Sequence, residues 1–168
     1  MADKKKNLSV YQPASVPDAA GMKIAVAVAE WNPGVTQALL EGTLRTLEAH
    51  GLARDAVPVH YVPGSFELPG AAALLIDALQ PEAVICLGCV IQGETRHFEF
   101  IAQAVAQGCT DLAAATLTPV VFGVLTTDTM QQAEERAGGK HGNKGDEAAV
   151  TAIKMAALKR QLRQGRGL

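Results

Sequence analysis

The chain has 168 residues, 48% of them apolar, with 15 Lys and Arg against 17 Asp and Glu and a formal net charge of −2. That is one domain, large enough to bury a core without disulfides or metal, and its near-balanced charge excludes the electrostatic footprint of a nucleic-acid or membrane-surface binder. An odd count of three cysteines argues against a secreted disulfide scaffold, no apolar run reaches bilayer length, and "MADKKKNLSV" has no apolar stretch behind its lysines, so a cytoplasmic protein is expected.

Residues 1–21 read as an N-terminal arm and 22–168 as a single domain. "MKIAVAVA" (22–29) is a short β-branched run, which predicts a buried strand. "GVTQALLEGTLRTLEAHG" (34–51) spaces Leu40, Leu44 and Leu47 as a helix does, with Gly51 as its stop. "AVPVHYV" (56–62) is the second strand. "SFELPGAAALLIDAL" (65–79) is a helix with Pro69 in its first turns and Ser65 as its expected N-cap. "AVICLGCVI" (83–91) is the third strand. Residues 97–116 are alanine-rich and helical, with a possible break at Gly108. "PVVFGVL" (119–125) is the fourth strand. "TDTMQQAEERAG" (127–138) predicts a short helix with Asp128 and Gln131 spaced as a capping box. "GKHGNKG" (139–145) reads as a loop, and "DEAAVTAIKMAALKRQL" (146–162) as the last helix, acidic at its start and basic near its end.

Continuously apolar strands alternating with helices predict an α/β fold. We expect a flavodoxin-like three-layer sandwich, with a central four-stranded parallel sheet and helices on both faces. Ligands of such sheets bind at the carboxyl ends of the strands. The segments to inspect are therefore "EWNPG", "PGSFE", "QGETRH" and "FGVLTTD". The chain has only seven aromatic residues. Three of them, Trp31, Phe66 and Phe122, fall at or near strand ends. That placement suits a flat, stackable ligand, although each can equally plug the top of the core.

His97, at a helix start, reads either as a proton-transfer group or as an ordinary first-turn histidine. His50, His60 and His141 lack the spacing of metal ligands. Cys86 and Cys89 form a C-x-x-C inside a strand, where residues three apart point to opposite faces. They read as buried structural thiols rather than a redox pair. "GGKHGNKG" beside Arg136 is either an anion corner or a solvated linker. It is not a Walker A loop, and no G-x-G-x-x-G follows the first strand. Glu67 reads as a hydroxyl acceptor for a ligand or as a complement to its helix dipole.

"VPGSFELP" (62–69), "LGCVIQGETRHFEFI" (87–101), "PVVFGVLTTDTMQQAEERAG" (119–138) and "GNKGDEAAVTAIKMA" (142–156) together resemble the lumazine synthase family, in that family's order and spacing. The resemblance implies condensation of 5-amino-6-(D-ribitylamino)uracil with 3,4-dihydroxy-2-butanone 4-phosphate. The products are 6,7-dimethyl-8-ribityllumazine, phosphate and water. It implies no metal and no organic cofactor.

Carried over position by position, Trp31 stacks on the pyrimidine, where many relatives have Phe. Ser65, Phe66 and Glu67 hold the ribityl chain. The backbone of Cys89, Val90 and Ile91 reads the uracil edge. Glu94 and Thr95 cradle the phosphate, and His97 moves protons. Phe122 and Arg136 come from a neighbouring subunit, with Lys144 as a weaker phosphate contact. Gln92 stands where many relatives carry arginine.

The resemblance also implies a homopentamer with active sites between subunits. The "GGKHGNKG" linker resembles that of members whose rings close into an icosahedral shell. "NLSVYQP" (7–13) is the candidate strand for pairing with a neighbour. Riboflavin synthase is the protein partner such an assembly suggests; neither nucleic acid nor membrane is expected as one. Two rival readings share the fold: an archaeal-type riboflavin synthase, and a non-catalytic flavin-binding or shell protein.

Overall fold

The structure, a computed structural model, describes residues 7 and 9–165. Four parallel strands form the sheet: β1 (Ile24–Ala29), β2 (Val59–Val62), β3 (Ala83–Ile91) and β4 (Val120–Thr127). Their order is β2-β1-β3-β4. The strands are connected by helices α1 (Pro33–Ala49), α2 (Leu68–Leu79) and α3 (His97–Thr116). After β4 come α4 (Met130–Glu135), a small antiparallel hairpin of β5 (Ala137–Gly139) and β6 (Gly142–Asn143), and α5 (Lys144–Gln164).

The alternation of side chains along β1 and β3 divides the core in two. Ile24, Val26, Val28, Ile85 and Leu87 face α1 and α5, where they meet Leu39, Leu47 and Ile153. Ala25, Ala27, Val84 and Cys86 face α2 and α3, where they meet Leu68, Leu75, Val105 and Cys109. Both faces of the central strands are covered, which is why these strands are apolar throughout. Small residues set how close the layers come. A Cβ at Gly145 would collide with the Leu39 carbonyl, so α5 packs tightly on α1.

The expected three-layer sandwich is the observed one. β3 and α3 have the predicted bounds, and α3 runs through Gly108 unbroken, because Gly108 lies close against Pro69 of α2. Three local expectations are corrected. First, Ser65 does not cap α2. Residues Ser65–Glu67 form a 3-10 turn, and α2 starts only at Leu68, with Pro69 in its first turn. Second, the cap of α4 is shifted by one residue. Thr129 Oγ1 accepts from the Gln132 N–H (3.2 Å), and Gln132 Oε1 accepts from the Asp128 N–H (2.9 Å). Third, residues 137–143 are a hairpin rather than the end of α4 and a loop. Positive φ at Gly138 (108°) and Gly142 (83°) turns the chain there, and α5 begins at Lys144.

Of the arm, residues 1–6 and 8 lie outside the described residues, as do 166–168 of the domain. The described part of 7–13 forms no strand within this chain, whereas Val16 and Ala19 are buried in the core.

Candidate active site

The sheet order reverses between β1 and β3, so the crevice for a ligand lies beyond the carboxyl ends of these strands. There β1 runs into Glu30, Trp31 and Asn32. The Glu30 and Trp31 N–H groups continue the ladder to the carbonyls of Val62 (2.8 Å) and Pro63 (3.1 Å). This pins the Trp31 backbone against the exit of β2. The indole lies over Gly64, where an added Cβ would come within 2.5 Å of the ring. Gly64 thus supplies the flat floor, and Trp31 stays 65% exposed.

The 3-10 turn sets the next three residues. Glu67 Oε2 accepts from the Gly64 N–H (3.0 Å), which orients its carboxylate back toward the strand end. Phe66 projects outward, 55% exposed. Ser65 is buried against Gly88 of β3, and among the described residues its Oγ has no hydrogen-bond partner. A buried hydroxyl without a partner is costly, and such groups call for a functional or structural explanation.

On β3, the Cys89 side chain is buried while Val90 and Ile91 are half-buried. Burial pushes the Cys89 thiol up to about 11, so it stays neutral. Cys86 points to the opposite face, as its spacing from Cys89 predicts, and all three cysteines are free. Sequence reasoning missed Asn32. Its Nδ2 donates to the Cys89 carbonyl (3.0 Å), tying the exit of β1 to the end of β3. Asn32 adopts the left-handed conformation (φ 58°), which asparagine tolerates better than most residues. An Asn before a Pro at a helix start was the available signal.

Beyond β3, residues 92–97 are exposed. His97 is the first residue of α3. Its N–H donates to Thr95 Oγ1 (3.4 Å), so Thr95 serves the helix start from one position before Arg96, the formal cap. Among the described residues the His97 ring has no hydrogen-bond partner.

Phe122 and Arg136 are not part of this crevice. They line a separate cavity of about 510 Å³ at the outer edge of β4, together with Thr126, Thr127, His141 and Lys144. Lys144 is held by Glu147 (2.9 Å). The half-buried Arg136 guanidinium makes no ion pair among the described residues. Its peptide is anchored instead, its carbonyl accepting from the Lys144 N–H (2.9 Å).

The expected residues therefore fall in two separate places. Trp31, Ser65, Phe66, Glu67, Cys89, Val90, Ile91, Glu94, Thr95 and His97 gather at the β1–β3 switch point. Phe122, Arg136 and Lys144 gather at the free edge of the sheet. No group of three or more potential metal ligands occurs among the described residues, and no helix among them is long and apolar enough to cross a membrane.

The sheet order and the crevice at its switch point define a doubly wound α/β domain. A family model described as 6,7-dimethyl-8-ribityllumazine synthase matches residues 21–160. Proteins of that name share the whole domain. The one from Porphyromonas gingivalis is 54% identical over 160 residues, 95% of this chain and 99% of the relative. The one from Parabacteroides distasonis is 54% identical over 155 residues, 92% and 97% of the two chains. The one from Cytophaga hutchinsonii is 50% identical over 157 residues, 94% and 98%. The chain belongs to the 6,7-dimethyl-8-ribityllumazine synthase family.

Proposed function

We propose that this protein condenses 5-amino-6-(D-ribitylamino)uracil with 3,4-dihydroxy-2-butanone 4-phosphate to give 6,7-dimethyl-8-ribityllumazine, phosphate and water. The observation that carries this reading is the meeting of "VPGSFELP" and "GETRHFEF" at one switch-point crevice. Trp31 offers an exposed aromatic face for the pyrimidine. Glu67 accepts from ribityl hydroxyls, and the buried Ser65 hydroxyl awaits a partner beside it. The exposed turn at Glu94 and Thr95 presents backbone amides to the phosphate.

His97 stands next to that turn with both ring nitrogens unengaged. It takes a proton from the attacking amine, returns one as the imine forms, and assists elimination of phosphate and ring closure. The substrates are intrinsically reactive, so holding them in register supplies a large share of the rate. No metal or organic cofactor enters this scheme.

The second half-site has a place only if another copy of the chain supplies it. Phe122 would complete the ring pocket, and Arg136 would clamp the phosphate. A ring of five with sites at its subunit boundaries meets this need. Twelve such rings closing into a shell is the larger assembly proposed. A scattering mass near that of one ring would contradict the shell. The cytoplasm is the proposed location, and riboflavin synthase the proposed partner.

The test supplies both substrates and follows the absorbance of the lumazine. Product formation is expected. Absence of product, with flavin or ribityl ligands still bound, would replace the enzyme with a binding protein. Supplying the lumazine alone and finding riboflavin would instead point to a riboflavin synthase.

A further inference from the structure

The cavity around Arg136 contains a base that the reaction above leaves unused. His141 sits at the turn of the β5–β6 hairpin, where its backbone N–H donates to the Glu135 carbonyl (2.9 Å). Its side chain is 38% exposed and lines the same cavity as Arg136 and Lys144. The Glu135 carboxylate lies 3.8 Å from Nε2, beyond hydrogen-bond reach. That carboxylate is already engaged. It takes the Lys140 ammonium at 2.7 Å and accepts from Gln131 Nε2 at 3.1 Å. The Lys140 hydrogen bond holds the Glu135 carboxyl below its ordinary value. In the same cavity, Lys144 is taken by Glu147. Among the described residues, Arg136 is the one cation of this cavity without a carboxylate, and His141, which lines the same cavity, makes no side-chain hydrogen bond.

We propose that His141 is a specificity-determining anion contact, binding the phosphate of the butanone substrate alongside Arg136. The assignment rests on the reading above. A phosphate ester carries about −1.5 to −2 charges near pH 7. One unpaired guanidinium offsets roughly one of them. An imidazolium beside it offsets the remainder, while Lys140 and Lys144 are occupied by their own carboxylates. An anion next to an imidazole favours the charged ring, so the anion enters together with a proton. The charged groups that share the cavity with His141 are Glu135 from α4, Arg136 after it and Lys144 from α5, with Lys140 and Glu147 reaching it only through their ion pairs to Glu135 and Lys144. Of these residue types only an imidazole ordinarily changes charge between pH 5 and 8. An anion that enters together with a proton binds more weakly as pH rises.

Sulfate is the suitable probe, because its own charge stays constant between pH 6 and 8. Calorimetry measures its binding to the assembled protein at pH 6 and pH 8, for wild type, His141→Ala and His141→Lys. His97 is common to all three, so the differences among them report on position 141. The wild type is expected to bind sulfate more tightly at pH 6. The pH 6 to pH 8 affinity ratio should shrink by about three- to tenfold in both variants. His141→Lys should stay tight at pH 8, and His141→Ala should be weak at both. In turnover, His141→Ala should raise KM for the phosphate substrate by more than it changes kcat or the other KM.

Equal sulfate affinities and equal pH ratios in wild type and His141→Ala would overturn the assignment, as would a wild type that takes up no sulfate. A protein that makes no lumazine yet shows the sulfate differences would lose its proposed reaction and keep His141 as an anion contact.

Discussion

Asn32 Nδ2 donates to the carbonyl of Cys89 at 3.0 Å, across 57 positions of sequence. The bond joins β1 to β3 at the point where the sheet order reverses, and it fixes Trp31 relative to the strand end expected to read the uracil. Asn32→Gly keeps the left-handed backbone and removes the bond. It should cost about 1 kcal/mol of stability and raise KM for the ribityl substrate about tenfold. Asn32→Ala adds backbone strain and should cost about 1 kcal/mol more. Denaturant melts and steady-state kinetics of the pair check this. Unchanged kinetics in both would show that the bond is purely structural.

Ser65 invites the opposite combination. Its buried Oγ has no partner, so Ser65→Ala should leave stability unchanged or raise it by up to about 1 kcal/mol. If the hydroxyl serves the ribityl chain, the same change should raise that KM about three- to tenfold. A more stable protein with an unaltered KM would remove Ser65 from the site.

Acid stability is set in part by Glu82 and Arg160. The carboxylate is 22% exposed and accepts two bonds from the guanidinium, at 2.5 and 2.7 Å, and one from the Lys23 N–H at 2.9 Å. The Arg160 hydrogen bonds lower its pKa from an ordinary value of 4.5. Because the folded value is depressed, this stabilisation is complete above pH 4.5 and is lost as pH falls through the folded value. Glu82→Gln should cost about 1–2 kcal/mol at pH 7, discounted for the partial exposure of the pair. The Tm gap between wild type and variant should close in increasingly acidic buffer. A gap that stays constant down to the acid transition would contradict the ion pair's role.

Two half-sites on one chain predict complementation between subunits. His97→Ala spoils the crevice and Arg136→Ala spoils the edge cavity. Each assembled alone should be nearly inactive. Co-assembled in equal amounts, about one quarter of the interfaces would pair an intact crevice with an intact edge. Activity per mixed assembly should then exceed that of either parent. No gain on mixing would place both halves within one chain.

The sequence announced the sheet and most of the crevice because those depend on local pattern. β3 is an apolar run interrupted only by Gly88, and α3 is alanine-rich on both sides of Gly108, so their bounds were legible. The hairpin was not, because two- and three-residue strands leave no periodicity to read. It is made instead by Gly138 and Gly142, and by Asn143 donating to the Ala38 carbonyl (2.9 Å) far away in sequence. Ser65 looked like a cap because its residue type suits one. The 3-10 turn that displaces it depends on Glu67 reaching back to Gly64. Asn32 was invisible for a similar reason, its partner lying on another strand. The roles proposed for Trp31, Glu67 and His97 come from the motifs, and the structure adds their placement at the strand ends. The separation of Phe122 and Arg136 from them became visible only once β4 was seen at the edge of the sheet.

If His97 transfers protons in a crevice that makes the lumazine, its loss must slow the formation of that product. The most direct test compares lumazine formation by wild type and His97→Ala with both substrates saturating. The wild type should be active and the variant slower by about one to four decades, with both KM values little changed. A variant as fast as the wild type would contradict the role of His97, and a wild type that forms no lumazine would contradict the account as a whole.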